Sequence, residues 1–261
     1  MSEEQKKVTA AMVIIGNEVL SGRTQDKNLS FVANMLGEIG VDMQEARIIP
    51  DVLETVVATV NELRAKHDYI FTSGGIGPTH DDITADCIAA AFGVKLEKHP
   101  LAMQALQAHY DAQDADFNEA RQRMARIPQG ASLIENPVST APGFKIENVH
   151  VMAGVPKIMQ AMMENILPTL RGGETLSSVT VTSSVPEGAI AAEMGALQLQ
   201  YPDVNIGLYP FYSAQGAGVS VVARGRNVEQ LAAVEAAVKQ HLAEIGAPLV
   251  QRPKPIADAS V

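Results

Sequence analysis

Three glycines, a proline and two aspartates crowd the short segment from Ser73 to Thr84, SGGIGPTHDDIT. Gly74, Gly75 and Gly77 permit the positive φ angles that turn several backbone N–H groups toward one point. Lacking β-carbons, they also leave room for a ligand against the main chain. A short apolar run, Tyr69 to Thr72, precedes them and reads as a buried strand. A helix from Ile83 to Phe92 follows, and its N-terminus adds partial positive charge. Together these features predict a cradle for phosphate or a similar anion, built from Ser73, the glycines, Pro78 and Thr79. A tight turn with capping aspartates is the plainer reading of the glycines alone. Tandem Asp81 and Asp82 and Thr84, placed after a buried strand, favour a functional loop.

Carboxylates beside an anion loop suit a hard divalent cation, which prefers oxygen ligands and keeps some waters. Asp82, Asp51 and Asp81 are the candidate metal ligands, with Asp82 and Asp51 as the candidate catalytic acids. Asp51 and Asp26 could each simply cap a helix. Their convergence with Asp82 would let a cation offset the repulsion between carboxylate and phosphate and polarise a phosphoryl oxygen. His80 reads as exposed or capping, with contact to phosphate or metal as the alternative. The other histidines show no ligand spacing. Cys87, on the helix after the loop, reads as core rather than nucleophile. Met152, Met159, Met162 and Met163 read as packing for a core or subunit interface.

The elements that must position these residues alternate. Ala10 to Ile15 reads as a strand, Leu29 to Ile39 as a helix closed by Gly40, and Val41 to Ile49 as a strand. Leu53 to Lys66 reads as a helix with Asp51 as its cap, followed by the strand before the glycine loop. Such alternation predicts parallel strands joined by right-handed crossovers, with helices on both faces. Ligands then sit beyond the carboxyl ends of the strands. Gly16, Glu18, Asp51 and Ser73 to Asp82 should gather there. Residues 99–126 read as helical and polar, Gly130 to Ile134 and Val149 to Met152 as strands, and Lys157 to Leu170 as a helix. Arg171-Gly172-Gly173 marks a boundary. A strand–helix–strand–strand–helix unit follows, and then a loosely ordered tail at 249–261.

The 261 residues carry a formal charge of −10, with 46% hydrophobic and 19% charged residues. That balance argues against binding nucleic acid through the overall field, but not against an anionic small ligand held by backbone and metal. One cysteine precludes an intrachain disulfide. The N-terminus lacks an apolar signal segment and no run is long enough to span a membrane, so a cytoplasmic location is expected.

Five segments resemble the molybdopterin-binding (MoaB/MogA-like) domain family, and more closely the N-terminal part of CinA-like proteins. They are Ile14 to Asn28, Pro50-Asp51, Thr72 to Thr84, Ser139 to Phe144 and Ala153 to Pro168. The resemblance implies a three-layer α/β/α sandwich over 1–171, a small α+β KH-like domain over 174–248, and a homo-oligomer, a dimer sooner than a trimer. It implies that Asp51 and Asp82 are tied to metal and catalysis, with Mg, Mn or Co as cofactor. Gly16, Glu18, Ser21, Asp26, Ser73, Gly74, Gly75, Gly77, Pro78, Thr79, Pro142, Gly143 and Gly154 are then implied to line the ligand site. Two activities compete: a nucleotide pyrophosphatase acting on ADP-ribose or a similar dinucleotide, and molybdopterin binding or adenylylation. A non-catalytic molybdopterin or nucleotide-binding protein is the third reading. Residues 176–248 contain only Arg224, Arg226 and Lys239 as basic residues and no GxxG, so packing or dimerisation is expected of them rather than RNA binding. The family usually has a proline before Gly154 and an acidic residue near 158, where this chain has Ala153 and Ile158. The chain also stops where longer CinA-like proteins begin an amidohydrolase domain, so that activity is not expected here.

Overall fold

A computed structural model describes residues 7–213 and 216–251. The chain divides into two units between Glu174 and Thr175.

The first unit opens with β1 (Val8–Ile15), α1 (Asn17–Leu20), α2 (Asn28–Glu38), β2 (Val41–Ile49), α3 (Leu53–Lys66) and β3 (Tyr69–Ser73). It continues with α4 (Thr84–Phe92), β4 (Leu96–Lys98), α5 (Pro100–Asp111), α6 (Glu119–Gln122) and β5 (Arg126–Pro128). β6 (Ser132–Ile134), β7 (Gly143–Ile146), β8 (Val149–Met152) and α7 (Pro156–Ile166) complete it. Six strands form one sheet in the order β2-β1-β3-β8-β7-β6, while β4 and β5 pair separately.

Alternation along β1 explains the layers. Ala11, Val13 and Ile15 face one core with Val56, Val60 and Leu63 of α3 and Ile88 of α4. Ala10, Met12 and Ile14 face another with Val32 and Leu36 of α2 and Met159, Met162 and Met163 of α7. Both faces of β1 are thus buried, which is why it reads as a continuous apolar run. The result is a three-layer α/β/α sandwich, and the methionines pack its core.

Several expectations need correction. The sheet is mixed: β2, β1, β3 and β8 run parallel, but β7 is reversed and pairs antiparallel with both β8 and β6. These end strands are too short to signal direction in sequence. Residues 99–126 are not one helix, because the polar stretch breaks after Asp111 and resumes only as α6. Asp51 does not cap α3. Val52 holds the cap position without a side-chain bond, and Asp51 Oδ2 instead accepts from the Asn17 N–H at 2.9 Å.

The second unit contains β9 (Ser177–Ser183), α8 (Ala191–Gln200), β10 (Asn205–Ser213), β11 (Gly216–Gly225) and α9 (Val228–Glu244). Its antiparallel sheet, ordered β10-β11-β9, packs Val181, Val219 and Val221 against Leu231, Val234 and Val238 of α9. Asn227 starts α9 by accepting from the N–H groups of Glu229 and Gln230. Of the tail expected to be loose, Leu249 bridges to Ser183 and the Val250 N–H donates to Thr182; residues 252–261 lie outside those described. Among the described residues no helix is long and apolar enough to cross a membrane.

Candidate functional site

β1, β3 and β8 are parallel neighbours, so the loops that follow them leave the same edge of the sheet. They touch there. The Gly74 N–H donates to the Met152 carbonyl at 3.2 Å. A β-carbon built on Gly154 would lie 3.3 Å from the Gly74 Cα. Asn28 Nδ2 donates to Ser73 Oγ at 2.7 Å and to the Gly154 carbonyl at 2.8 Å. Asp26 places Asn28 by accepting from the N–H groups of Asn28 and Leu29 at the start of α2.

The glycine loop is held by its own flanks. Gly74 and Gly75 have φ of +112° and +67°, which L side chains rarely adopt. Thr84 Oγ1 donates to the Gly74 carbonyl and its N–H to the Gly75 carbonyl, both at 2.9 Å. A β-carbon on Gly75 would stand 2.2 Å from that hydroxyl oxygen. Further along, Asp82 Oδ2 accepts from both the Thr79 N–H and the Thr79 hydroxyl. The Asp82 carboxylate closes so tightly over Gly77 that a β-carbon there would meet Oδ2 at 2.6 Å.

These loops bound a cavity of about 490 Å³, within the range of small-molecule pockets. Glu18, Gly74, Gly75, Gly77, Pro78, Asp82 and Gly154 are in its wall. The remaining sequence candidates are not in that wall, though several border it. Gly16 precedes α1, and Ser21 donates to the Glu18 carbonyl. Asp26 and Asp51 serve backbone N–H groups, Ser73 is tied to Asn28, and Thr79 is bound to Asp82. Asp81 is exposed beside the fully solvated His80. Pro142 lies in a second cavity of about 260 Å³ that meets the first at Asn136. Gly143 opens β7 where a β-carbon would strike the Val151 carbonyl at 2.4 Å.

The ionisable groups of the main cavity wall are therefore Glu18 and Asp82, both acidic. Among the described residues, no group of three or more His, Cys, Asp or Glu is gathered to hold a metal ion. The described residues offer no ready-made cage. Glu18 and the Oδ1 of Asp82 are carboxylate oxygens, the donor type that a hard cation takes together with water and a ligand's own oxygens.

Sequence reasoning missed part of the wall. Ile76, Met124, Val155 and Ile158 give it apolar surface, and Thr24, Asn136, Ser139, Ala141, Ala153 and Pro156 complete it. Asn136 is 6% exposed and organises the rim loop. Its Nδ2 donates to Ser139 Oγ and the Ala141 carbonyl, while its Oδ1 accepts from the Val138 and Ser139 N–H groups. The Asn136-Pro137 pair was a turn signal that could have found it. Met124 carries no such signal. Ala153 and Ile158, where the chain departs from the usual CinA-like pattern, both face this cavity.

Known proteins are similar to this chain. Residues 11–172 match the family described as probable molybdopterin binding domain, and residues 175–248 match the middle domain of FAD synthase. A protein from Aeropyrum pernix is 31% identical over 233 residues, covering 85% of this chain and 87% of its own length. A CinA-like protein from Desulfosudis oleivorans is 32% identical over 210 residues, and the match spans 51% of that longer chain. The crystal structure of the protein CinA from Thermoplasma acidophilum, whose function is unknown, is 31% identical with a TM-score of 0.57, covering 62% of this chain and 98% of that one. This chain belongs to the molybdopterin-binding domain family, as a CinA-like member.

Proposed function

We propose that this protein hydrolyses the phosphoanhydride of ADP-ribose or a similar dinucleotide, using a divalent metal ion. The observation that carries this reading is the Gly74–Gly77 loop bent against the Asp82 carboxylate on the wall of a cavity of about 490 Å³. Glycine at 74, 75 and 77 lets the loop fold tightly onto Ile15, Thr84 and Asp82, and the N–H groups of the Gly75–Gly77 stretch would then bind the diphosphate. Two acidic side chains would repel that diphosphate unless a cation came with it. Asp82 and Glu18 would hold Mg, Mn or Co together with the substrate's phosphate oxygens. The ion, when bound, would polarise phosphorus and activate water. Asp82 is held for this task by Thr79, and the apolar wall would take the adenine or the group opposite it. The match of the second unit to a FAD synthase domain adds FAD to the substrates worth testing.

A second reading has its own support. The family's description names molybdopterin, and Ile76, Met124 and Ile158 could flank a flat pterin. Purified protein should be incubated with ADP-ribose, FAD, or ATP plus molybdopterin, each with Mg²⁺, Mn²⁺ or Co²⁺, and the products identified by mass spectrometry. AMP with ribose 5-phosphate is the expected outcome, abolished in Asp82→Asn. Adenylylated pterin would replace this proposal with the second. Thermal stabilisation by these ligands without product would indicate a binding protein. Unchanged ADP-ribose hydrolysis in Asp82→Asn would remove the carboxylate from the mechanism.

A further inference from the structure

Asn28 opens α2, is 4% exposed, and reaches two loops far from it in sequence. Its Nδ2 bridges Ser73 Oγ and the Gly154 carbonyl, and Ser73 Oγ passes the contact on to the Ala153 carbonyl at 3.3 Å. A carbonyl oxygen can only accept, so the amide nitrogen must face Gly154 and the orientation of the group is settled by chemistry. That orientation leaves Asn28 Oδ1 buried without a hydrogen-bond partner. That oxygen adds no protein hydrogen bond to the stability of the arrangement. What the amide does provide is a planar link of fixed length between the loops after β3 and β8. Ala153, Gly154 and Gly74, the neighbour of Ser73, all line the cavity, whereas Asn28 is not in its wall.

We propose that Asn28 is a positioning residue, setting the separation of the Gly74 and Gly154 loops and thereby the affinity of the cavity for its ligand. Asn28→Asp replaces the bridging donor with an acceptor. The carboxylate can still receive the Ser73 hydroxyl but repels the Gly154 carbonyl, so the loops part. The ligand half of this inference rests on the nucleotide reading above; the loop half does not.

The test compares Asn28→Asp with Val32→Ala, which weakens α2 in the core without removing any hydrogen bond of the link. Hydrogen exchange of the ligand-free proteins, followed by mass spectrometry, reads the peptides covering 73–78 and 152–156. Calorimetry reads binding of AMP, which has no phosphoanhydride to cleave. Asn28→Asp should speed exchange in both loops at least tenfold and weaken AMP at least tenfold, while Val32→Ala leaves both within twofold. Should Asn28→Asp fail to fold, Ser73→Ala removes one arm of the link and should produce a smaller effect in the same two peptides. Equal loop exchange in Asn28→Asp and Val32→Ala, or unchanged exchange in Ser73→Ala, overturns the positioning role. If exchange behaves as expected but the wild type ignores AMP, the nucleotide reading fails and the positioning role stands.

Discussion

Gly74 crosses Ile15 so closely that a β-carbon on it would stand 2.1 Å from the Ile15 carbonyl oxygen. Two parallel strands, β1 and β3, therefore deliver their following loops to one point with no room for a side chain between them.

Gly74→Ala should destabilise the first unit by about 3 kcal/mol or more, since it combines a positive φ with a clash against backbone that cannot yield. Gly22 provides the comparison. Its φ is +72° but nothing lies within 4 Å of where a β-carbon would sit, so Gly22→Ala should cost only about 1 kcal/mol. Urea midpoints at constant m-value check both numbers. Equal costs would mean that φ alone, and not the approach to Ile15, demands glycine at 74.

His150 makes stability depend on pH. It is 1% exposed, stacks on Phe71 at 5.1 Å and meets Tyr69 edge-on at 6.0 Å. Burial first, and nearby Lys145 second, push its pKa down from 6.5 to about 4. Between those values the unfolded chain binds a proton that the folded chain refuses. Stability should thus fall as pH drops from 6.5 toward 4, by up to about 1.4 kcal/mol per pH unit, with no further loss from this residue below 4. His150→Leu should flatten the slope across that window. Parallel wild-type and variant curves would show that other groups carry the acid sensitivity.

Cys87 should be inert in the folded protein. It is fully buried, and its thiol is pushed up to about 12 by burial first and by Asp86 and Asp51 next. At pH 8 only about one thiol in ten thousand would be thiolate, the form that reacts. Iodoacetamide should leave the native protein unlabelled and modify Cys87 fully in urea. Rapid native labelling would place the α4 face in exchange with solvent.

What could be read from the sequence follows how local its physics is. β1, β3 and the glycine loop were legible because each strand is a short apolar run stopped by glycine. The fold class followed from their alternation with helices. β6 and β8 were read as strands, but β7 and the strand directions at that end were not, since three- and four-residue strands acquire direction only from partners elsewhere in the chain. Asp51 shows the same limit at the site. Its type suits a cap or a metal ligand equally, and its actual partner, the Asn17 N–H, is 34 residues away. Glu18, Asp82 and the glycines were found because they cluster in motifs. Met124 stayed invisible because nothing local separates a cavity wall from core, whereas Ile158 stood out only by its departure from the family pattern.

The link between Asn28 and Gly154 spans 126 residues, which has a consequence for a chain made one residue at a time. A ribosome-bound chain carries the glycine loop long before it carries the strand that completes the cavity. Until β8 emerges and docks beside β3, the loop has no opposite wall and the buried amide has nothing to bridge. Ligand capture would thus appear abruptly and late in synthesis, and would mark the moment at which the first unit closes.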